Sequence, residues 1–197
     1  MGDIKSAREI AMEKIASLGE PTEQERLQWK YTPEGEKLAA RYLKSGADIA
    51  SELNTYDKAG AKLVAKTASS ILIKNINVPK NDIDKKNNKL AMDGIKALKT
   101  DKSRAEATLN QIRHVFNHYA EQGEQQRKQA YAALKADFQA KLEQALRQQM
   151  GGNISGIRID VEKQPQFQEE WRKLKAQLDG QYLKLLDEYK QELDSLN

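Results

Sequence analysis

The chain contains no cysteine, two histidines and four prolines among its 197 residues, and only 6% of its residues are aromatic. Without cysteine it cannot form disulfides, use a thiolate as a nucleophile or bind zinc through sulfur. No segment approaches the ~20 consecutive apolar residues that a membrane-spanning helix needs, and the N-terminus has no apolar signal-peptide core. We therefore expect a cytoplasmic protein without a membrane span.

The sequence also lacks the motifs of the common enzyme classes. It has no glycine-rich phosphate loop, no dinucleotide-binding fingerprint and no serine-nucleophile motif. Adjacent carboxylates such as Glu169 and Glu170 do not share a helical face, so they cannot form the converging pair that acid–base catalysis requires. We expect neither an enzyme nor a cofactor.

The two histidines, His114 and His118, are four residues apart. This spacing places both on one face of a helix, as two metal ligands require. No third histidine or cysteine is available to complete a site, and the glutamate of the zinc-protease motif is missing. The pattern therefore favours surface or packing histidines, and a metal site is the weaker alternative.

Charged residues make up 31% of the chain, and apolar residues recur at helical spacing along most of it. The pattern predicts an all-α fold. Thr32 is predicted to cap a helix that has Pro33 in its first position and Gly46 after its end, and Asp48 to cap a short helix. The remaining N-terminal helices are predicted at 3–17, 23–31, 57–77 and 80–102.

Two apolar stripes in the C-terminal half repeat every eleven residues. The downstream stripe is Phe167, Trp171, Leu174, Leu178, Tyr182, Leu185, Tyr189, Leu193 and Leu196. The upstream stripe is Leu109, Ile112, Phe116, Ala120, Gly123, Arg127, Tyr131, Leu134, Phe138, Leu142, Ala145 and Gln149. Matching periods predict that the two helices pack along each other as an antiparallel hairpin.

The predicted helix lengths differ, at ~70 Å for residues 104–150 and ~46 Å for residues 166–196. If the two pair outward from Gly151, Leu196 lies near Glu121, and the start of the upstream helix is covered by N-terminal helices. The expected architecture is a small helical body, residues 1–103, and a hairpin arm, residues 104–197, with its turn at 151–165.

The predicted turn contains a segment that reads as a strand, because apolar and charged residues alternate there. Ile157, Ile159 and Val161 would face one side, and Arg158 and Asp160 the other. Two copies paired antiparallel about Ile159 would oppose Arg158 with Asp160, a favourable cross-strand pair. We predict a self-association or partner-docking edge here, and a loop folded back onto the arm is the alternative.

Residues 58–104 carry eleven lysines and one arginine against four aspartates, which gives a net charge of +8, and no aromatic residue. Such a region can contact phosphates without base recognition or stacking. The predicted anion contacts are Lys58, Lys62, Lys66, Lys74, Lys85, Lys86, Lys89, Lys96 and Lys99. A solvated helical face is the alternative interpretation.

Two stretches resemble a family of uncharacterised bacterial helical proteins known only as a domain of unknown function. They are "GDIKSAREIAMEKI" with "GEKLAARYL", and "VEKQPQFQEEWRKLKAQLDGQYLKLLDEYKQEL", so the resemblance covers residues 2–45 and 160–193 but not the lysine-rich middle. It implies a helical cytoplasmic protein of bacteria and no particular activity. The long hairpin plan is also similar in shape to prefoldin-type chaperone subunits.

Three functions are compatible with these features. The first is a non-enzymatic interaction or scaffold protein that assembles through its helical arm with a protein partner or with a second copy as a homodimer. The second is a nonspecific nucleic-acid-associated protein that uses the lysine-rich helices. The third is a holdase-like chaperone.

Overall fold

A computed structural model describes residues 6–10, 20–149 and 160–196. Over these residues the prediction of an all-α fold is confirmed, and no strand is present. Residues 7–10 are helical, and the rest of the predicted helix at 3–17 lies outside the described residues. The longer helices are α1 (Glu23–Ser45), α2 (Ile49–Leu53), α3 (Lys58–Lys74), α4 (Asp82–Leu98), α5 (Lys102–Ala120), α6 (Gln122–Gln149) and α7 (Pro165–Ser195).

Helix α1 corrects the prediction that a new helix begins at Pro33. The helix starts after Thr22, whose hydroxyl accepts from the Glu25 N–H while the Glu25 side chain accepts from the Thr22 N–H. It runs through Pro33 and ends at Gly46, which has the left-handed φ of 68°. An internal proline removes one backbone hydrogen bond, and here α1 continues because the turns on either side of it are packed, with Tyr31 and Leu38 both buried.

The chain divides into two compact units, residues 1–71 and 72–197. In the first, the Tyr31 hydroxyl donates to Asp57 Oδ2 at 2.9 Å and the Gly60 N–H donates to Asp57 Oδ1 at 2.7 Å. These two hydrogen bonds, the backbone one first, lower the pKa of the Asp57 carboxyl. They fix the start of α3 against α1. The domain division predicted from the sequence, at 103/104, stays a prediction.

In the second unit α7 runs antiparallel to both α5 and α6. Near its start the ring of Phe167 lies 5.5 Å from that of Phe138, and near its end Glu192 accepts from the Thr108 hydroxyl at 3.1 Å. The upstream segment is two helices, α5 and α6, joined at Glu121, where the prediction had one continuous helix. Gly123, a poor helix former, lies in the first turn of α6 beside the joint.

The predicted placement of Leu196 near Glu121 is wrong, because its carbonyl accepts from Lys99 Nζ at 2.6 Å. Helix α7 begins opposite Phe138, well short of the end of α6, so its C-terminal half reaches α5. The start of the upstream segment is therefore covered by α7 on one side and by α4 on the other.

The eleven-residue stripes also fail at four positions, since Ala120, Ala145, Gln149 and Leu185 are all exposed. Leu185 is 38% exposed whereas its neighbour Leu186 is 2% exposed, and Ala120 is exposed whereas Tyr119 is buried. Besides the half-buried Gly180 and Lys190, the buried or half-buried positions toward the end of α7 are Asp179, Tyr182, Leu186, Tyr189, Leu193 and Leu196. Their steps of three and four form a seven-residue repeat, which is the spacing of a helix packed along a neighbouring helix.

The predicted strand at 157–162 is wrong over its described part. Val161–Lys163 form a 3-10 turn, in which the Lys163 N–H donates to the Asp160 carbonyl at 3.3 Å. Val161 is buried at 2% exposure, and α7 starts directly afterwards with Pro165 in its first turn. A strand cannot form here because the backbone already turns to enter the helix. Among the described helices none is long and apolar enough to cross a lipid bilayer.

Candidate partner-binding groove

Helices α4 and α5 enclose an open groove in the second unit, and the loop before α4 closes one end of it. Asn88 fixes that loop, since its Oδ1 accepts from the Asn77 N–H at 2.9 Å and its Nδ2 donates to the Asn77 carbonyl at 2.6 Å. Asn88 is buried, so these two bonds also satisfy its amide. The result is that Pro79 is held at the mouth of the groove.

The floor of the groove is apolar and its rim is basic. Met92 and Phe116 form the floor of a cavity of about 270 Å³, and the basic side chains Lys85, Lys89 and Arg113 line its edges. We call this surface, with its rim and floor, the basic groove. Asp93 is the one carboxylate among its lining residues, so the lining has a net charge of +2.

The rim cations differ in how strongly they are already engaged. Lys85 pairs with Asp82 at 2.8 Å, but both side chains are mostly exposed and water competes for such a pair. Arg113 is held at 2.8 Å from Glu106, whose other oxygen lies 2.9 Å from Lys96 Nζ. The hydrogen bonds of Lys96, and then of Arg113, lower the pKa of the Glu106 carboxyl. Glu106 therefore stays ionised near neutral pH and fixes Arg113 at one end of the groove.

The structure places the nine predicted lysines in three different settings. Lys58, Lys62 and Lys66 are exposed along one face of α3, with Lys74 exposed at its end. Lys85, Lys86, Lys89 and Lys96 are exposed on α4, and of these four only Lys85 and Lys89 line the basic groove. Lys99 is buried, and its ammonium donates to the Leu196 carbonyl.

Arg113 was not among the predicted contacts, although it lines the basic groove with two that were. The signal that could have identified it is the short connection at 99–101, which makes α4 and α5 antiparallel neighbours. In that arrangement the flank of α4 that carries Lys89 faces the middle of α5. Once α4 and α5 are known to pair, Arg113 in α5 could be predicted to lie opposite the flank of α4 that carries Lys89.

A second groove, between α5 and α7, contains both histidines. His118 Nδ1 lies 2.9 Å from the Tyr182 hydroxyl, and His114 lines the same cavity of about 430 Å³. The lining residues are Gln111, His114, Val115, His118, Gln126, Gln181, Tyr182, Leu185 and Tyr189. No carboxylate is among them, and the described part of the chain holds no group of three side chains that could bind a metal ion.

A buried ion pair lies beside this second groove, where α5, α6 and α7 meet. Arg127 Nη1 is 3.1 Å from Asp179 Oδ1, and its Nη2 donates to the Tyr119 carbonyl at 3.1 Å. The guanidinium also stacks over the Tyr119 ring at 4.2 Å. Burial, followed by the charge of Asp179, raises the pKa of the Tyr119 hydroxyl. These contacts hold the junction of α5 and α6 against α7.

Of the predicted self-association residues, Ile157, Arg158 and Ile159 lie outside the described residues. Asp160 is exposed and pairs with Lys163 at 2.9 Å, while Val161 is buried against its own chain. Self-association through this segment stays a prediction. Val161 cannot be one of its exposed contacts, because its side chain is buried.

Residues 50–195 match a family of unknown function (DUF6657). The predicted resemblance to a domain of unknown function is thereby confirmed, but its extent is corrected. The match includes the lysine-rich middle, which the predicted resemblance left out, and it begins after residue 45, where the predicted N-terminal resemblance ends. Neither a curated protein nor a solved structure matches the chain.

Proposed function

We propose that this chain, which belongs to the family of unknown function DUF6657, is a non-enzymatic interaction protein that binds a protein partner in the basic groove. The observation that carries the proposal is the combination of an apolar floor and a charged rim in one open cavity. Interfaces take this form, because burial of an apolar anchor supplies affinity and the polar rim supplies orientation.

The chemistry of the two described grooves supports binding rather than catalysis. The basic groove has lysines, an arginine and a single aspartate, but no nucleophile positioned beside a base. In the second groove the His118 ring meets a tyrosine hydroxyl and lies among glutamines and apolar side chains. A base that activates a hydroxyl is itself oriented by a third group, and no carboxylate lines the second groove to orient His118.

Site-specific photo-cross-linking tests this proposal. A photoreactive amino acid replaces Asn117, which lines the basic groove, and in a matched chain it replaces Ala107, which is exposed on the same helix outside both grooves. We expect irradiation of cells that produce the chain to give a nuclease-resistant adduct of higher mass from position 117 and not from position 107. Equal adducts from both positions, or none from either, would refute a partner site in the groove.

Nonspecific nucleic-acid contact is the second candidate, and one observation favours it. Lys58, Lys62 and Lys66 are all exposed at intervals of four residues on α3, so they form a short line of positive charge. A gel shift with duplex DNA that disappears at moderate salt, and that is lost when all three lysines are replaced by glutamine, would establish this candidate. A nuclease-sensitive adduct at position 117 would place nucleic acid in the basic groove instead.

A further inference from the structure

The basic groove has a shape and a charge distribution that select among protein partners. Resting on the function proposed above, we propose that its occupant is an acidic amphipathic segment that inserts an apolar side chain between Met92 and Phe116 and places carboxylates against Lys85, Lys89 and Arg113. A cavity of about 270 Å³ has room for one or two apolar side chains rather than for a whole domain surface.

Charge complementarity identifies the flanks of this segment. Lys85 and Lys89 are four residues apart, one helical turn, on α4. A segment that lies along the groove therefore meets a positive charge at each turn of the helix on that side, with Arg113 lining the α5 side. Carboxylates spaced three or four residues apart on a bound helix match this pattern. Arg113 Nη1 already donates to Glu106 and Asn110, so a bound carboxylate would take two parallel hydrogen bonds from its Nε and Nη2.

The same surface is poorly suited to nucleic acid. Phe116 is 9% exposed and lies in the floor, so no aromatic face is presented for a base to stack on. Asp93 interrupts the basic rim, so the rim offers separate positive charges and not the continuous basic track that a phosphate backbone follows. A sugar–phosphate chain would leave water on the mostly apolar floor, whereas an apolar side chain would displace that water.

Fluorescence anisotropy with defined peptides tests the proposal. The probe is a labelled helical peptide of about 14 residues, ~21 Å long, with leucines on one face and glutamates beside them. Its two controls carry glutamine in place of the glutamates, or serine in place of the leucines. We expect the acidic peptide to bind in a salt-sensitive manner and each control to bind at least about tenfold more weakly.

A matched pair of variants assigns the binding to the groove. Lys89→Glu reverses a charge on the rim, and Lys86→Glu makes the same change on the same helix at a position that does not line the groove. We expect Lys89→Glu combined with Lys85→Glu to weaken the peptide about tenfold, and Lys86→Glu to change its affinity less than about twofold. Circular dichroism of each variant is the folding control: unchanged helical content is expected, so that a loss of binding is not a loss of folding.

Several results would overturn the proposal. They are absence of peptide binding, binding that Lys86→Glu weakens as much as Lys89→Glu does, or a single-stranded DNA oligonucleotide that binds more tightly than the acidic peptide and depends on Lys89. If the cross-link at position 117 captures a protein while the acidic peptide does not bind, the interaction function stands and the acidic partner is refuted. If neither occurs, both fail.

Discussion

The ion pair between Arg127 and Asp179 should dominate the stability of the joint between α5, α6 and α7. The two side chains are only 15% and 9% exposed, so both charges have lost most of their water. Their loss of hydration is offset by the 3.1 Å contact between them and by the hydrogen bond from Arg127 to the Tyr119 carbonyl. Removing one partner leaves the other charge buried without its counter-ion.

The expected loss of unfolding free energy is large because a single substitution leaves a buried charge unpaired. We expect Arg127→Met and Asp179→Leu, made singly, to lower the free energy of unfolding by about 3–5 kcal/mol each, because breaking a buried pair costs this much. In the double variant no unpaired charge remains. Its loss of unfolding free energy should therefore be smaller than the sum of the two single losses, by more than about 2 kcal/mol. The matched control is Lys128→Met, which breaks an exposed pair with Glu124 and should cost less than about 1 kcal/mol.

Tryptophan fluorescence allows the second unit to be monitored alone. The chain has two tryptophans, and Trp29 is 66% exposed in the first unit. A Trp29→Phe background leaves Trp171, whose ring lies 5.0 Å from that of Tyr131 between α6 and α7, as the reporter in a urea titration. Single variants that cost no more than Lys128→Met, or a double variant that costs the full sum, would refute the reasoning.

Three further predictions concern stability, followed by Trp171 fluorescence for changes in the second unit and by thermal circular dichroism for Gly35 in the first. Leu186→Ala should lower the free energy of unfolding by about 2–5 kcal/mol and Leu185→Ala by less than about 1 kcal/mol, because only the Leu186 side chain is buried. Equal losses would support the predicted eleven-residue stripe, in which Leu185 is buried. Gly35→Ala should lower the thermal midpoint, since its Cβ would lie 2.8 Å from a backbone oxygen of α3, whereas Gly180→Ala meets nothing within 4 Å and should be neutral or stabilising. Glu106 has a lowered pKa in the folded chain, so its contribution is complete above the unfolded value of 4.5 and is lost as pH falls through the folded value. The stability difference between the wild type and Glu106→Gln should therefore shrink in acid, and a difference that does not change with pH would contradict this.

The fold class and most helix boundaries could be predicted because they depend on local signals. Gly46 and Asp48 mark a helix end and a helix start through capping chemistry that neighbouring residues supply. Pro33 misled the prediction for the same reason. Its local preference favours the first turn of a helix, but the burial of Tyr31 before it and of Leu38 after it sustains one helix through it.

The pairing of the helices depends on distant residues, so sequence periodicity alone did not determine it. At Leu185 and Leu186, two equally apolar neighbours, the side chain that is buried depends on where α5 lies. The predicted pairing also assumed that both helices begin at the turn, and α7 instead begins opposite Phe138. An apolar stripe indicates that a face is buried without indicating which helix covers it.

The candidate site was only partly predictable, because its residues come from two helices whose packing is not visible in the sequence. The excess of lysine in residues 58–104 is visible in the composition and contains Lys85 and Lys89. Composition could not separate them from Lys86, which does not line the groove, or from Lys99, whose ammonium is buried against a carbonyl. Arg113 and the floor residue Phe116 come from the next helix, so the groove exists only once α4 and α5 are packed.

The most direct test of the partner-binding claim uses the protein captured by the cross-link at position 117. Titration calorimetry compares its affinity for the wild-type chain, Lys89→Glu and Lys86→Glu. Binding in the basic groove predicts a clear loss of affinity for Lys89→Glu and wild-type affinity for Lys86→Glu, because only the first lysine lines the groove. Equal affinities for the two variants would contradict the assignment of this groove as the binding site.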